Sequence, residues 1–315
     1  MIELLNSAKL TSIGGICETL CFYKKVSCKA PRPNMNQHYV PYFYLKNFSF
    51  NKESIYVFDK LTRKQFTASL KNVASSQDFY NFEAGNIDLE TSLSKVESEI
   101  APILQRLINC DIINTEGIIT YDELEYLKYL FWIQQNRTLE SRIGFAQGID
   151  HMNALISKKE PPKINLSETI KSVEVKNEHL SYFQTVTSNT STLEVALSRN
   201  MHILLNETNV NFLSSDSPVI GDSEIYDNKL IGIFILPISP RRALQVTPNG
   251  QLDFLDNADG GVSIISDAEL VNYYNSLMVG TCTRQLFSFD NEFYNTIDLL
   301  DKNPNLIDPR KMRIL

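Results

Sequence analysis

The chain has 315 residues, of which 43% are hydrophobic and 21% are charged. This composition excludes intrinsically disordered, collagen-like, coiled-coil and small disulfide-linked proteins. The net charge of -7 argues against a protein that coats nucleic acid through bulk electrostatic attraction. No stretch of 18 uninterrupted apolar residues occurs, so we expect a soluble globular protein with no membrane-spanning helix.

The first 34 residues differ from the rest of the chain in charge and cysteine content. They carry five Lys/Arg and two acidic residues. Three of the five cysteines lie here: Cys17, Cys21 and Cys28. The apolar groups are short and interrupted by charges, which is a poor match to a secretory signal, and Pro31-Arg32-Pro33 is typical of a linker. We interpret residues 1–34 as an extension that reflects a mis-assigned start, with Met35 as the true first residue.

Metal binding by these three cysteines together with His38 is the alternative interpretation of this segment. The spacings of three and six intervening residues match no common zinc pattern. Because neither a secretory signal nor a disulfide framework is evident, we expect a reducing, cytoplasmic location. We predict one domain over residues 35–300, with a sub-boundary at the 158–167 loop, and a tail over residues 301–315.

In the first half of the body, the sequence predicts a strand pair followed by long helices. Ser54 to Asp59 and Gln65 to Leu70 alternate as strands do, and the short segment between them favours a hairpin. From Asp88 onward the apolar spacing is helical, with Pro102 predicting a kink or a break. A capping box then opens a helix that we extend through Arg142 as far as Ile156.

In the second half, a helix that starts at a Ser191/Glu194 capping box is predicted to continue through Leu205. Strands are predicted in five further segments, with a hairpin at Asn249-Gly250 and one more helix opening at Ser266. The five are Asn211 to Leu213, Leu230 to Leu236, Ala243 to Val246, Leu252 to Leu255, and Gln285 to Phe289. The sequence therefore predicts a single compact α+β domain with an N-terminal β-hairpin, central long helices and a mixed or antiparallel sheet in the C-terminal half.

The first candidate site is Gln37-His38-Tyr39. A histidine titrates near neutral pH and can act as a general acid/base, so we consider His38 catalytic, with Tyr39 beside it as a substrate contact. The alternative is a histidine that packs among the neighbouring aromatic residues and bonds a backbone carbonyl.

The second candidate site is the polar run from Gln134 to Arg142. On a continuous helix Gln135, Thr138 and Arg142 would share a face that continues an apolar stripe. Buried amide and guanidinium groups are costly unless they are paired, and arginine suits carboxylate or phosphate. We therefore assign Gln135 a catalytic role, and Arg137 and Arg142 a role in binding substrate. The alternative is a helix that leaves the core with Arg142 in a salt bridge.

Two further candidates lie in the second half. Asp216, in Ser214-Ser215-Asp216-Ser217-Pro218, could orient a base or hold a divalent metal as cofactor, with Ser215 contacting substrate. The alternative is that Asp216 and the serines beside it form a turn by bonding their own backbone. Arg241, on a proline-bounded loop, is a candidate contact for phosphate, or otherwise part of a solvated loop. Any nucleic acid or phosphate ligand would occupy a local pocket.

At these places the chain resembles DUF4238, a widespread, mainly bacterial family of domains of unknown function. The resemblance rests on motifs that recur in order: Gln37-His38-Tyr39-Val40-Pro41 with Tyr44-Leu45-Lys46-Asn47-Phe48, Asn72-Val73-Ala74 with Asp78-Phe79-Tyr80, Gln135 with Arg137 and Arg142, Ser215-Asp216 with Pro218, and Pro237-Ile238-Ser239-Pro240. It covers about residues 36–289, and the family carries no activity to transfer. Tyr42, Leu139 and Ser217 depart from the family pattern.

Two hypotheses of function follow from these residues. In the first, the protein is a phosphodiester-cleaving enzyme of a bacterial defence or toxin type, with His38, Gln135 and Asp216 at its catalytic centre. In the second, the same groups form a non-catalytic module that recognises a ligand or partner through a buried polar network. The two differ in whether the groups converge in one open cleft or are buried and paired.

Overall fold

The computed structural model describes residues 35–81, 89–110, 119–158, 172–226, 229–247 and 259–307, and over these the fold is α+β. The extension at residues 1–34, most of the loop predicted after Lys158, the Asn249-Gly250 turn and the strand predicted at Leu252 to Leu255 lie outside the described residues. None of the helices in the described part of the chain has the length and hydropathy that crossing a membrane requires.

Helices and strands alternate irregularly along the chain. The α-helices of the described residues are α1 (Tyr42–Leu45), α2 (Leu89–Asn109), α3 (Tyr121–Asn136), α4 (Leu139–Ser157), α5 (Val173–Ser188), α6 (Thr190–Leu197), α7 (Ala268–Thr281) and α8 (Tyr294–Lys302). The strands are β1 (Asn36–His38), β2 (Ser54–Asp59), β3 (Lys64–Ser69), β4 (Ser75–Gln77), β5 (Asn200–Asn206), β6 (Ser214–Ser215), β7 (Ile220–Tyr226), β8 (Lys229–Ser239), β9 (Arg242–Thr247), β10 (Val262–Ile265) and β11 (Gln285–Ser288). Short 3-10 helices occupy Lys46–Phe48, Leu70–Asn72 and Pro304–Ile307.

The strands form three sheets. A five-stranded sheet has the order β10-β5-β9-β8-β7 and is antiparallel except for the parallel pair β10–β5. A four-stranded antiparallel sheet has the order β3-β2-β11-β6, and a short ribbon pairs β1 with β4. The predicted β2–β3 hairpin is therefore confirmed, but β11 lies beside it and not in the C-terminal sheet. Strands from both ends of the chain share one sheet.

Both faces of the five-stranded sheet are covered. In β5, Ile203 packs in a core with α2, α3 and the N-terminal aromatic residues, whereas the next residue, Leu204, packs with α7 and α8. Successive side chains of a strand point to opposite faces, so a strand buried on both sides reads as a continuous apolar run. The segment that the helical prediction extended through Leu205 is this strand, and that prediction was wrong for this reason.

The long helix predicted through Arg142 is two helices. The α3 capping box of Thr120 and Glu123 is confirmed, but α3 ends at Asn136. Thr138 then adopts extended backbone geometry, and its hydroxyl accepts a hydrogen bond from the Ser141 N–H, so it is the N-cap of α4. Gln135, Thr138 and Arg142 consequently do not share one helix face. This α3–α4 junction positions most of the polar groups described below.

Three smaller points of helix geometry follow. The helix α2 continues through Pro102, so of the kink or break that this proline predicted, the break does not occur. The cap of α6 is Asn189 rather than Ser191, and the cap of α7 is Asp267 rather than Ser266. Asn189 lies two residues before the predicted cap and Asp267 one residue after it, and both Asn and Asp are preferred at the N-cap position.

Candidate functional site

Arg137, at the α3–α4 junction, is 2% exposed and all three of its guanidinium nitrogens are engaged. Its Nε donates to the Tyr80 hydroxyl at 2.8 Å, Nη1 pairs with Glu97 Oε1 at 2.7 Å, and Nη2 donates to the His38 carbonyl at 2.9 Å. Burial lowers the pKa of Arg137, but the charges of Tyr80 and Glu97 outweigh it and leave the pKa raised. We call these four residues the Arg137 network. It joins β1, α2 and the α3–α4 junction.

His38 and Tyr39 are held in the same region. His38 Nε2 lies 2.9 Å from the Leu70 carbonyl, and its ring meets the Tyr42 ring edge-on at 6.0 Å. The Tyr39 carbonyl accepts from Gln134 Nε2 at 3.1 Å. Burial, and next the charge of Asp216, raise the pKa of the Tyr39 hydroxyl.

Arg142 is 3% exposed and packs in a cluster with Phe79 and His179. Its guanidinium carbon lies 3.9 Å from the Phe79 ring centroid, Nη2 donates to the Phe79 carbonyl at 3.1 Å, and Nε approaches His179 Nδ1 at 3.5 Å. Burial lowers the pKa of Arg142 to about 10. Burial, and next the charge of Arg142, lower the pKa of His179 to about 3, so this histidine is neutral, and its Nε2–H donates to the Asn136 carbonyl at 3.1 Å. The cluster joins α4 to α5.

Asp216 is buried and both carboxylate oxygens accept backbone hydrogen bonds. Oδ1 accepts from the Thr283 N–H at 2.9 Å, and Oδ2 accepts from the Arg284 and Gln285 N–H groups at 2.8 and 2.9 Å. Burial raises the pKa of Asp216 to about 6, although these hydrogen bonds oppose the rise. The carboxylate therefore fixes the segment that enters β11. The neighbouring Ser215 hydroxyl accepts from the Ser217 N–H at 3.0 Å, as expected of the turn interpretation.

A cavity of about 410 Å³ opens at the α3–α4 junction, and we call it the junction cavity. The described residues that line it are Gln134, Gln135, Thr138, Glu140, Ser141, Ser217, Val219, Gly221, Phe234 and Thr281. Glu140 is 5% exposed and its Oε2 accepts from the Thr283 hydroxyl at 3.1 Å, so the cavity is one residue away from the Asp216 carboxylate. Glu140 is the one charged side chain among these lining residues.

Two of the residues that line the junction cavity have a buried side-chain oxygen that lacks a partner among the described residues. The amide oxygens of Gln134 and Gln135 are buried and accept no hydrogen bond from the described residues. A buried acceptor that receives no hydrogen bond lowers the stability of the fold by about 1–3 kcal/mol. The amide group of Gln134 is anchored through its nitrogen to the Tyr39 carbonyl, which fixes the position of its oxygen.

A second cavity, of about 470 Å³, lies between α7, α8 and the segment before β6. Two of its half-buried asparagines are paired: Asn275 Oδ1 accepts from the Leu213 N–H, and Asn275 Nδ2 donates to the Asn211 carbonyl, both at 2.9 Å. The Asn211 amide in turn donates to Asp290 at 2.5 Å. This cavity is larger, but these amides already have partners.

The predicted site residues are thus distributed over several places. Gln135 lines the junction cavity, and Asp216 adjoins it through Thr283. His38, Arg137 and Arg142 do not line it. Arg241 lies apart on the β8–β9 turn, where its guanidinium donates to the Thr208 carbonyl. Over the described residues, no group of three or more His, Cys, Asp or Glu is placed to hold a metal.

The sequence hypotheses missed Gln134, Glu140 and Thr281 as lining residues. Gln134 and Glu140 belong to the polar run that was singled out, and the capping hydroxyl of Thr138 between them was the available signal that the helix divides there. Thr281, at the end of α7, carries no comparable signal.

Comparison with known proteins agrees with the resemblance noted from the motifs. A sequence model of a family described as "Protein of unknown function (DUF4238)" matches residues 36–292. No curated protein and no solved structure matches the chain. The matched region contains the Arg137 network, Asp216 and every described residue that lines the junction cavity.

Proposed function

This chain belongs to the DUF4238 family, and we propose that it is a non-catalytic recognition module that binds a small polar ligand in the junction cavity. The observation that carries the proposal is the pair of buried, unpartnered amide oxygens of Gln134 and Gln135, two residues that line the cavity. Buried polar groups in folded proteins are nearly always paired, and exceptions call for an explanation. A ligand that donates hydrogen bonds to these oxygens, once the amide groups turn toward the cavity, supplies one.

The size and surroundings of the cavity support the proposal. Its volume of about 410 Å³ lies in the range of small-molecule sites. Its lining residues lie on or beside regular elements, α3, α4, α7, β7 and β8, which hold them in place. Phe234 and Val219 supply apolar surface, and the hydroxyls of Thr138, Ser141 and Ser217 supply adaptable polar groups.

The contacts of the other candidate residues favour recognition over phosphodiester cleavage. A nuclease needs His38, Asp216 and an arginine available to a phosphate. Here His38 Nε2 is bonded to Leu70, both Asp216 oxygens accept backbone N–H groups, and Arg137 is paired with Glu97. The nuclease of defence or toxin type, its divalent metal and its nucleic-acid ligand stay predictions that the experiments below also address.

Replacement of Gln135 by an apolar residue of similar shape tests the proposal without knowledge of the ligand. A residue kept for binding at a cost in stability stabilises the protein when it is replaced. We expect Gln135→Met to raise the free energy of unfolding by about 1 kcal/mol, because the unpartnered oxygen is removed. The measurement is urea denaturation monitored by fluorescence.

Gln184→Met is the matched control, since Gln184 is a half-buried glutamine on helix α5 and has no buried, unpartnered side-chain atom. We expect no gain from it. A loss of stability in Gln135→Met would mean that this amide supports the fold, and would overturn the proposal.

Cleavage assays on labelled RNA and DNA, with and without Mg²⁺ or Mn²⁺, address catalysis directly. We expect no cleavage by the wild-type chain. Cleavage that disappears in His38→Ala and Asp216→Asn, when both variants fold as judged by thermal melts, would establish the enzyme and overturn the non-catalytic proposal.

A further inference from the structure

We infer that the C-terminal half of α4 forms a homodimer contact, in which an exposed apolar stripe packs against the same stripe of a second copy of the chain. The α4 stripe consists of Ile149, Met152, Leu155 and Ile156, which are 39%, 61%, 67% and 75% exposed. No other helix of the described chain carries more than two exposed large hydrophobic side chains. The inference does not involve the junction cavity, so it stands or fails separately from the proposed function.

The α4 stripe lies on the side of the helix that faces away from the rest of the described chain. With 3.6 residues per turn, the opposite side of α4 carries Ile143, Ala146 and Ala154, and all three are buried. The inward side is therefore already packed. A surface helix normally presents polar residues to water, whereas a helix that is apolar on all sides is a buried one. The composition of this half of α4 is thus that of a helix covered on both sides.

The spacing of the stripe is that of a contact between two helices. Its apolar positions recur at intervals of four, three and four residues, as in the seam between packed helices. These positions are Phe145, Ile149, Met152 and Ile156. The first of them is already in a helix contact, since the Phe145 ring lies 5.1 Å from the Tyr182 ring of α5. The other three are exposed, and a second helix is the element whose shape fits them.

The charge of this surface favours a second copy over other partners. Apart from Asp150, which is half-buried, residues 143–157 carry no formally charged side chain. Two copies therefore meet without placing like charges opposite each other, although each chain has a net charge of -7. A helix that lies on a membrane surface carries lysine or arginine along its polar side, and these residues include neither.

A two-fold axis close to Met152 covers the whole stripe at once. The two α4 helices then run antiparallel, with Ile149 of one copy opposite Ile156 of the other. The four side chains of the stripe expose an apolar surface on the order of 400 Å² per chain. A standard interface buries about 800 Å² per partner, of which more than half is apolar. The stripe therefore supplies most of the apolar area that a dimer needs, and Tyr182, which is exposed beside Phe145, adds to it.

Sedimentation equilibrium of the full chain tests the inference. We expect a monomer–dimer equilibrium with a dissociation constant of about 10 µM or tighter, as interfaces of this size allow. Met152→Glu should weaken the dimer about 100-fold or more, because the two-fold axis brings both new carboxylates into one apolar contact. Ile156→Glu is the second variant if the first fails to fold, as judged by thermal melts.

Val195→Glu is the matched control. Val195 is 61% exposed on α6, the same exposed fraction as Met152, and it lies outside the α4 stripe. Its replacement should leave the dissociation constant unchanged. A wild-type chain that stays monomeric at about 100 µM would overturn the inference. A dimer that persists in both Met152→Glu and Ile156→Glu would overturn it as well.

Two further outcomes would assign the stripe to another occupant and overturn the homodimer. A monomeric wild type that loses stability in Met152→Glu would mean that the stripe is covered within its own chain. A monomeric wild type that co-sediments with phosphatidylcholine vesicles, and no longer does so as Met152→Glu, would mean that the stripe binds a lipid surface. None of these outcomes bears on Gln135→Met or on the cleavage assays, so the proposed function is tested separately.

Discussion

Gln135 and Arg137 lie two positions apart at the end of α3, and they differ in whether their side-chain polar atoms have hydrogen-bond partners. Arg137 is buried with all of its nitrogens engaged by Glu97, Tyr80 and the His38 carbonyl. Gln135 has a buried amide oxygen with no partner among the described residues. The first arrangement is what a structural network requires, and the second is what a binding site leaves open. Polar residues adjacent in sequence can therefore belong to different functions, and the hydrogen bonds that each has made distinguish them.

Replacement of Arg137 is the strongest test of this comparison. We expect Arg137→Met to lower the free energy of unfolding by about 3–5 kcal/mol, because it leaves Glu97 and the buried partners of the guanidinium unpaired. Urea denaturation at neutral pH measures the loss. Arg63→Met is the matched control, since Arg63 pairs with Asp301 at the surface and such pairs contribute about 0–1 kcal/mol. A loss in Arg137→Met no larger than that of the control would show that the Arg137 network is not structural.

The dependence of stability on pH sharpens the comparison, because two buried groups outside the cavity oppose each other. The pKa of Asp216 is raised from 3.8 to about 6 in the folded chain, so its contribution to stability is complete below about pH 4 and is lost as the pH rises toward 6. The pKa of His179 is lowered from 6.5 to about 3, so its contribution is complete above about pH 6.5 and is lost as the pH falls. Between about pH 4 and 6 the two slopes have opposite signs.

Single variants separate these slopes. In His179→Gln only the contribution of Asp216 remains, so the free energy of unfolding should fall by about 2–3 kcal/mol as the pH rises from about 4 to about 6. In Asp216→Asn the His179 term is left, so stability should rise over the same range. Urea midpoints at three pH values for each variant provide the measurement. Parallel slopes in the two variants would contradict the assignment.

Much of the fold was predictable because local signals act over a few residues. The β2–β3 hairpin follows from alternation of its residues, and the start of α3 follows from the capping box of Thr120 and Glu123. The predictions failed where a local signal was outweighed by context. The strand β5 is apolar on both faces, which periodicity alone does not separate from a buried helix. The placement of β11 between β2 and β6 depends on contacts between residues far apart in sequence.

The candidate site was less predictable, for a related reason. The polar run from Gln134 to Arg142 was identified, and Gln135 within it lines the junction cavity. The sequence does not specify that Arg137 pairs with Glu97, 40 positions earlier, or that Arg142 lies over Phe79, 63 positions earlier. Because of these long-range partners, two arginines that resemble anion-binding residues are instead buried and stabilise the fold. Residue type indicates which chemistry is available, and the partners decide whether it is free to act.

The smallest effect concerns the side of the cavity formed by the sheet. Gly221→Ala places a methyl group 3.1 Å from the Phe234 ring, which must move by a few tenths of an ångström. The loss in packing is offset by the lower conformational entropy of alanine in a strand, so we expect the free energy of unfolding to change by less than about 1 kcal/mol. Urea denaturation of Gly221→Ala measures the change, with Gly148→Ala, on α4 with no neighbour within 4 Å of the added Cβ, as the control. A loss well above this range in Gly221→Ala alone would mean that the Phe234 ring cannot move and that this side of the junction cavity is rigid.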